Sequence, residues 1–410
     1  MSRITLVRGI GRLFTADGEA LDDAALTIDS GTIEDGAPAG GTIAWVGAES
    51  GIDNLLTPDD EVDLGGALVT PGLVDAHTHP VYAGNRFAEI ALRSAGASYA
   101  EIAAAGGGIT STVTATRAAP TDVLAEGLDR RLRAWLAGGT TTVEAKTGYH
   151  LNEPGELADV RLLSEWAGPG REGAGVEVTW LAGHDVGPEW EGDADGYSHE
   201  VARWCKAAKA AGARHADVFC DEGYFTVAQS RLMLEAAKAA GLIPRIHADE
   251  LACTGGAELA GEIGCASADH LLRVDEAGIR ALAEGGVVAT LAPITALAMG
   301  HKPPARRMME AGVTIALGSD HNPGTCGTTS MSFVVALAVA ELGLSVAEAL
   351  RAATAGGARS LRLADRGRIA SGLRADLVAW DADNEGAFAW SYGLSPLALW
   401  LAGRRVSLRS

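Results

Sequence analysis

Eight apolar, β-favouring runs, separated by helix-like stretches, constrain the fold of this chain more than any other feature. The runs occupy residues 68–77, 140–146, 177–183, 216–220, 243–247, 265–269, 287–292 and 313–319. Ala-rich helical stretches, such as 122–137, 228–240 and 275–283, separate them. Apolar strands that alternate with helices predict a parallel sheet, and eight such units predict a (β/α)₈ TIM barrel of the α/β class. An open doubly wound sheet is the alternative, but it usually carries an early Gly-rich phosphate turn, which this sequence lacks.

The two ends of the chain show a different sequence pattern, with short β-like runs. Residues 1–66 contain short β-like runs at 4–7, 24–28 and 42–46, with turn signals such as Asp35-Gly36 between them. A capping box at 345–348 opens a late helix, after which strand-like texture returns at 367–369, 375–380 and 397–406. We expect both ends to pair in one small β-sandwich domain. The predicted divisions are therefore 1–66, the barrel at 67–367, and 368–410.

The charge balance limits the classes of partner. The chain of 410 residues has 33 basic and 53 acidic residues, which gives a formal net charge of −20. A strongly negative protein is poorly suited to nucleic acid or to an acidic membrane surface, because both are polyanionic. A small anionic substrate stays compatible, since it needs only one or two local cations.

Cysteine usage and hydropathy indicate a cytoplasmic protein. The five cysteines are odd in number and show no CxxC spacing, which is typical of a reduced protein without a disulfide framework. The first residues lack the apolar core of a signal peptide, and the most apolar stretches are too short to span a bilayer.

Metal-binding residue types follow several of the predicted strands. His77 and His79 end the first strand, and residues two apart in a strand point to the same side. His247, His270 and Asp320 stand at the ends of the fifth, sixth and eighth strands. In a barrel these ends face one mouth. Three neutral imidazoles and a carboxylate suit a catalytic transition metal with one position left for water.

Several segments resemble a known family. HTH at 77–79, HADE at 247–250, SADH at 267–270 and SDHNPG at 319–324 resemble the amidohydrolase superfamily of metal-dependent hydrolases. HPVYAGNR at 79–86, AGGGI at 105–109, EAKTGY at 144–149 and DHNPG at 320–324 are similar, more narrowly, to the imidazolonepropionase family. The resemblance runs over nearly the whole chain in the same order, and it implies an amidohydrolase-type barrel.

The resemblance implies a reaction and a cofactor. The family opens the lactam ring of 4-imidazolone-5-propanoate to N-formimino-L-glutamate in histidine degradation. His77, His79, His247 and Asp320 match its metal ligands, so we expect one divalent transition metal per chain, zinc or iron. Asp320 is expected to be the base for a metal-activated water. The family also suggests a homodimer.

The remaining site residues follow from the same resemblance. His270 and Glu250 are expected to be catalytic, with His270 polarising the carbonyl and Glu250 holding a ring nitrogen. The positions that match substrate or product contacts are Arg86, Tyr149, His184, Glu250, Asn322, Gly324 and Thr325. An arginine suits the propanoate carboxylate, because its guanidinium binds a carboxylate through two hydrogen bonds.

The chain departs from the family pattern at a few positions. His321 stands where an apolar residue or Cys is expected, His150 where Gly is common, and Asp185 follows His184. Thr325-Cys326-Gly327 differs from the usual Ser-Ser. These departures bear on the substrate contacts and leave the metal ligands unchanged.

Three alternatives remain at this stage. Another amidohydrolase, such as a cyclic-amide hydrolase or an aminopurine or cytosine deaminase, would use Glu250 equally well. A binuclear hydrolase would need a carbamylated lysine on the fourth strand, where Phe219 and Cys220 stand, whereas Lys146 ends the second. A non-catalytic binding protein would have no need of the full set of ligand and proton-transfer positions.

Overall fold

The fold contains two large β-sheets. They are seen in a computed structural model that describes residues 3–31, 33–34, 37–38, 40–52, 57–96, 101, 106–168 and 172–407. One sheet has eight parallel strands, and the other has seven mainly antiparallel strands from both chain ends. A two-stranded ribbon pairs Ile33–Glu34 with Ala37–Pro38.

The eight parallel strands follow one another in chain order around a barrel. Their bounds are Leu73–Asp75, Thr140–Lys146, Gly175–Gly183, His215–Cys220, Ile243–Ala248, Ser267–His270, Val288–Leu291 and Ile315–Leu317. The predicted (β/α)₈ architecture is confirmed. The predicted first strand at 68–77 is divided, because Gly72 separates the barrel strand from a long strand, Asp60–Pro71, of the other sheet.

Helices cover the outside of the barrel. The α-helices are Phe87–Ser94, Gly108–Ala118, Thr121–Ala137, Glu153–Ala167, Ala194–Ala211, Val227–Ala239, Gly256–Ile263, Glu276–Gly285, Pro293–Met299, Ala305–Glu310, Met331–Leu342, Val346–Arg351, Gly357–Ser360 and Gly386–Ser391. Short 3₁₀ turns occur at Glu49–Gly51 and Pro188–Trp190, and a π turn at Ala352–Gly356. Among the helices that the structure describes, none combines the length and the hydrophobicity needed to cross a lipid bilayer.

Helix starts agree with the capping signals in the sequence. The predicted capping box is present at Ser345, whose side chain accepts from the backbone N–H of Glu348 while the Glu348 carboxylate accepts in return. The three predicted helices at 122–137, 228–240 and 275–283 are confirmed to within two residues. Side-chain caps at Thr226 and Asp275 set where the second and third of these helices begin, whereas the first follows Pro120 and has no side-chain cap.

The barrel closes where its eighth strand meets its first. The backbone N–H of Ala76 donates to Leu317 O at 3.2 Å, and that of Asp320 donates to His77 O at 3.0 Å. Gly318 makes this approach feasible, because a Cβ there would lie 2.6 Å from the Cβ of His77. Closure brings residues about 240 positions apart in the sequence to the same edge of the mouth.

The chain ends build a curled sheet of seven strands. Its order is Thr42–Ala48, Leu21–Asp29, Ile4–Leu13, Asp60–Pro71, Leu377–Trp380, Pro396–Leu401 and Arg404–Val406. The two edges bend towards each other, since the N–H of Gly41 donates to Ala402 O at 2.8 Å and that of Ile43 to Leu373 O at 2.8 Å. The predicted pairing of the two chain ends is thereby confirmed. The exact domain limits at 66 and 367 stay a prediction.

Two details of the tail differ from expectation. The single strand predicted at 397–406 is a hairpin, because Ala402 and Gly403 adopt φ values of 50° and 75° and reverse the chain. Residues 367–369 form no strand, although Ile369 is buried in the core of the curled sheet. The predicted turn at Asp35-Gly36 lies outside the described residues.

Candidate metal centre and active site

Four of the predicted side chains converge at the barrel mouth. The ligand nitrogens of His77, His79 and His247 all lie within 4.8 Å of one another. Asp320 joins them, since its Oδ1 is 3.6 Å from Nε2 of His77 and 3.6 Å from Nε2 of His79. All four side chains are buried. The structure therefore brings together the full predicted set of three imidazoles and one carboxylate.

Burial keeps two imidazoles of this cluster, those of His77 and His79, in the neutral form that binds metal. Burial lowers the pKa of His77 and of His79 well below the ordinary value, so both rings are neutral at physiological pH. Nε2 of His247 is buried without a hydrogen-bond partner among the described residues. A buried imidazole nitrogen without a partner is costly unless it meets a cation, so the donor set fits a divalent transition metal.

Carboxylates behind the cluster orient two of the histidines. His77 Nδ1 lies 2.6 Å from Asp269 Oδ2, and His247 Nδ1 lies 3.2 Å from Asp217 Oδ2. A neutral imidazole has one N–H, and donation from Nδ1 to a carboxylate leaves Nε2 as a lone pair. His77 Nε2 thus presents a lone pair to the centre, in the arrangement that tunes metal-binding histidines, while Asp217 places a negative charge beside the His247 ring.

Asp320 is held from its other side. Its Oδ2 accepts a hydrogen bond from Thr295 Oγ1, which leaves Oδ1 directed at the histidines. Burial raises the pKa of Asp320 to about 6. The residue has a φ of 51°, a left-handed conformation that a non-glycine residue rarely adopts. A buried carboxylate near its protonation point is well suited to accept a proton.

His270 and Glu250 lie beside the cluster. The His270 ring centroid is 4.8 Å from that of His77 and 5.1 Å from that of His247, and its Nε2 is 3.8 Å from Glu250 Oε2. Burial lowers the pKa of His270 to about 3. Burial, with Asp320 nearby, raises the pKa of Glu250 well above the ordinary value. At neutral pH the imidazole of this pair is thus neutral, and the shift in the pKa of Glu250 favours the protonated form of its carboxyl group.

Arg86 lies in the same pocket with its guanidinium fixed in place. Nε lies 2.9 Å from Glu89 Oε2, and Nη2 lies 2.9 Å from the same carboxylate oxygen. Glu89 Oε1 also accepts from the backbone N–H of Gly108 at 2.9 Å. A Cβ at Gly324 would lie 2.4 Å from Arg86 Nη1, so any larger residue there would displace this guanidinium. Arg86 and Gly324 are therefore brought together as one unit.

An aromatic wall completes the pocket. His184 stacks on His79 with ring centroids 5.0 Å apart, and Tyr149 is 5.3 Å from His184. His184 Nδ1 is 3.0 Å from the carbonyl oxygen of Gly148, and burial lowers the pKa of His184 to about 3. The residues that line the pocket include Arg86, Tyr149, His184, Glu250, Asn322 and Thr325.

Asn322 and Thr325 hold the loop that follows Asp320. Asn322 Nδ2 donates to Asp320 O and to Thr325 Oγ1, at 2.7 and 2.8 Å. Asn322 Oδ1 accepts from the N–H groups of Gly324 and Thr325, both at 2.8 Å. The Asn322 amide is thus occupied within its own loop, and its visible effect is to fix Asp320 and Gly324.

Two of the departures from the family pattern, His321 and His150, lie behind the pocket wall, whereas Thr325 lines the pocket. His321 Nδ1 is 3.0 Å from Thr328 O, and its Nε2 is 3.2 Å from the hydroxyl of Tyr82. His150 pairs with Asp159 at 2.7 Å. Neither histidine is among the described residues that line the pocket.

Sequence reasoning missed the residues that support the site. Asp217, Asp269, Glu89 and Thr295 each contact a predicted site residue, yet none was singled out. A signal was available for the two aspartates: each is a charged residue inside a short predicted strand, at 216–220 and 265–269, and a charged residue is rarely buried unless it is paired. Glu89 and Thr295 lie on helices, where no comparable pattern marks them.

Comparison with known proteins gives a consistent result. The model of the amidohydrolase family matches residues 68–406. The imidazolonepropionase of Anaeromyxobacter sp. (strain K) is 43% identical over 387 residues, which cover 92% of each chain. The imidazolonepropionase of Geobacillus kaustophilus (strain HTA426) is 41% identical over 388 residues, which cover 92% of this chain and 91% of that one.

Solved structures share the fold at lower identity. Ochratoxinase from A. niger superposes with a TM-score of 0.69 at 19% identity, covering 98% of this chain and 95% of that one. An adenosine deaminase from Xanthomonas campestris with bound zinc superposes with a TM-score of 0.69 at 20% identity, covering 98% and 92%. At this identity the likeness concerns the architecture alone.

Proposed function

The chain belongs to the amidohydrolase family and, within it, to the imidazolonepropionases, and from this premise we propose how it works. It hydrolyses the ring amide of 4-imidazolone-5-propanoate to N-formimino-L-glutamate. Water adds its oxygen to the ring carbonyl carbon, the C–N bond breaks, and the ring nitrogen gains a proton. The observation that carries this function is 43% identity over 92% of both chains with an imidazolonepropionase.

We propose that one divalent metal, zinc or iron, is held by His77, His79, His247 and Asp320. The buried, neutral nitrogens and the Asp320 oxygen at 3.6 Å support this set. A divalent ion there supplies Lewis-acid polarisation and lowers the pKa of water from ~15.7 towards ~7. The side chains around the ion carry out proton transfer and hold the substrate.

Asp320 is the proposed base. Its pKa of about 6 allows it to be ionised at neutral pH and still to hold a proton for part of the cycle. The hydrogen bond from Thr295 keeps its carboxylate from rotating away. Asp320 thus takes a proton from the attacking water and later returns one to the leaving ring nitrogen.

His270 and Glu250 are the proposed partners at the other side of the scissile bond. His270 is neutral and can donate one hydrogen bond to the carbonyl oxygen as negative charge develops there. Glu250 lines the pocket, and burial raises the pKa of its carboxyl, which favours the protonated form that can donate to a ring nitrogen. The distance of 3.8 Å between them leaves each available to the substrate.

Arg86 is the proposed anchor for the propanoate carboxylate. It is a buried cation in the pocket that also contains the metal-type cluster. A guanidinium held by Glu89 is already oriented, so less entropy is lost when the carboxylate binds. We propose that Tyr149, His184 and the loop at Asn322, Gly324 and Thr325 shape the rest of the contact surface.

A deaminase is the rival within the family, since Glu250 would serve it equally well. The anchor for a carboxylate favours the imidazolone, because guanine and cytosine carry no such group. A binuclear centre is disfavoured by Lys146. Its Nζ lies within 3.4 Å of three carboxylates, which suits an ammonium and opposes the negatively charged carbamate that such a centre needs.

The test is a substrate comparison on the purified protein. Freshly made 4-imidazolone-5-propanoate is supplied in parallel with guanine and cytosine, with loss of ultraviolet absorbance and release of ammonia as readouts. We expect turnover of the imidazolone alone, its loss on treatment with a chelator, and its return with Zn²⁺ or Fe²⁺. Release of ammonia from guanine or cytosine without imidazolone turnover would contradict the proposal.

Two broader proposals follow from the family. We propose a homodimer, to be checked by light scattering on the full chain. We also propose a cytoplasmic location, for which the support is that all five cysteines are free thiols.

A further inference from the structure

A layer of five charged side chains fills the barrel directly behind the metal-type cluster. It comprises Glu144, Lys146, Asp217, Arg245 and Asp269, and none of these side chains has any exposed surface. They come from the second, fourth, fifth and sixth barrel strands. Two cations and three anions give the layer a net charge of −1. Burying five charges costs free energy of folding, because each loses its hydration. We therefore ask which neighbouring residues this layer keeps in position.

Lys146 is the hub of this layer. Its Nζ is 2.8 Å from Glu144 Oε1, 2.6 Å from Asp217 Oδ2 and 3.4 Å from Asp269 Oδ2. An ammonium has three N–H donors, and here each faces one carboxylate. Burial disfavours its charge, but the three carboxylates raise the pKa of Lys146 above the ordinary value.

Two of the carboxylates that Lys146 joins are the ones that orient the histidines. Asp269 Oδ2, the same oxygen that faces Lys146, lies 2.6 Å from His77 Nδ1. Asp217 Oδ2, also facing Lys146, lies 3.2 Å from His247 Nδ1. One ammonium therefore fixes the acceptors behind two ligands from different strands.

We infer that Lys146 is a positioning residue for the metal centre, which acts through Asp269 to fix the rotamer and tautomer of His77 and through Asp217 to hold a carboxylate 3.2 Å from Nδ1 of His247. This inference goes beyond the proposed function, because it concerns how tightly and in what geometry the ion is held. The negative layer also balances the positive charge that a divalent ion adds to three neutral imidazoles and one carboxylate.

The test replaces Lys146→Met in the full chain and measures Co²⁺ binding to the metal-free protein by competition with a chelator. We expect the Kd for Co²⁺ to rise 10- to 100-fold, which is the usual loss when a group behind a metal ligand is removed. The visible absorption spectrum of bound Co²⁺ should also change, because it reports the ligand geometry. Lys238→Met is the matched control: its Nζ donates to Ile263 O outside this layer, so its Kd should stay native.

A second variant covers the case in which Lys146→Met fails to fold. Lys146→Met with Glu144→Gln removes one cation and one anion, so the net charge of the layer stays −1 and both carboxylates behind the histidines remain. We expect it to fold and still to bind Co²⁺ at least 10-fold more weakly, because Asp217 and Asp269 have lost the ammonium that fixes them. A native Kd and a native Co²⁺ spectrum in either folded variant would overturn the inference. Failure of both variants to fold would overturn it too, since a purely structural role would then explain the layer.

Discussion

The barrel mouth and the curled sheet of the chain ends are built by opposite rules. The mouth buries at least six titratable side chains within one pocket: His79, His184, His247, His270, Glu250 and Asp320. The core of the curled sheet is made of apolar side chains such as Ile10, Leu13, Leu26, Leu377 and Trp400. The difference shows that the curled sheet contributes to the stability of the fold, whereas the buried titratable groups of the mouth reduce it.

Buried polar groups without partners lower stability, whereas apolar burial raises it. The mouth therefore depends on the rest of the fold to hold it in place. Substitutions in the mouth should change activity with little or no loss of stability, and substitutions in the sheet should do the reverse. Each prediction below tests one side of that contrast.

The largest effect is expected at Asp320. Replacement Asp320→Asn removes the proposed base, so we expect kcat to fall by about 10²- to 10⁴-fold. Because burial raises the pKa of this carboxyl to about 6, ionisation above that pH costs folding free energy, and the metal-free variant should be as stable as the native chain at pH 7. Steady-state kinetics measure the fall in kcat, and thermal unfolding measures the stability.

Asp122→Asn, at an exposed helix start, is the control and should change neither kcat nor stability. A large loss of stability in the Asp320 variant would contradict the expectation that substitutions in the mouth leave stability nearly unchanged.

The second effect lies in the curled sheet. Trp400 is 1% exposed and belongs to its apolar core. Trp400→Ala should lower the free energy of unfolding by about 3–5 kcal/mol and leave kcat of the folded fraction unchanged. Trp390→Ala is the matched control, because Trp390 is 85% exposed and its loss should cost less than about 0.5 kcal/mol. Chemical denaturation measures both variants. A fall in kcat for Trp400→Ala would show that the two regions are coupled.

The third effect is on substrate binding. Glu89→Ala removes the carboxylate that fixes Arg86, so we expect kcat/KM for the propanoate substrate to fall about 10-fold, in line with ~1.5 kcal/mol for one hydrogen bond to a charged group. The fall should appear mainly in KM, since the contacts described for Glu89 are with Arg86 and the backbone of Gly108. An amide analogue of the substrate, without its carboxylate, is the control, and the substitution should affect it far less. Equal losses on both substrates would mean that Glu89 supports the pocket in general.

The smallest effect is expected at a helix cap far from the mouth. Ser345→Ala removes half of a capping box, which should cost about 1 kcal/mol of stability and leave kcat and KM native. Thermal unfolding and steady-state kinetics measure the two parts. A change in kcat here would contradict the separation between scaffold and site.

Sequence patterns predicted the fold well where periodicity was strong. Seven barrel strands were placed correctly because each is a short apolar run followed by a helical stretch. The split of the first run at Gly72 was missed, since an apolar run carries no sign that it serves two sheets. The hairpin at Ala402-Gly403 was missed because a single glycine was treated as part of a strand.

The site was predictable only where residues follow strand ends. His77, His79, His247 and Asp320 stand at such ends, and the barrel brings the ends together. The supporting groups were not predictable in the same way. Lys146 and Asp217 pair across strands that are far apart in the sequence, and only the closed barrel places them 2.6 Å apart.

A metal titration of the ion-free chain tests the account most directly. Zn²⁺ or Fe²⁺ is added in steps while turnover of 4-imidazolone-5-propanoate is followed. We expect activity to rise in proportion to added metal and to stop at one equivalent per chain, as a single centre of three imidazoles and a carboxylate requires. Full activity without metal, or a rise that continues to two equivalents, would contradict that centre.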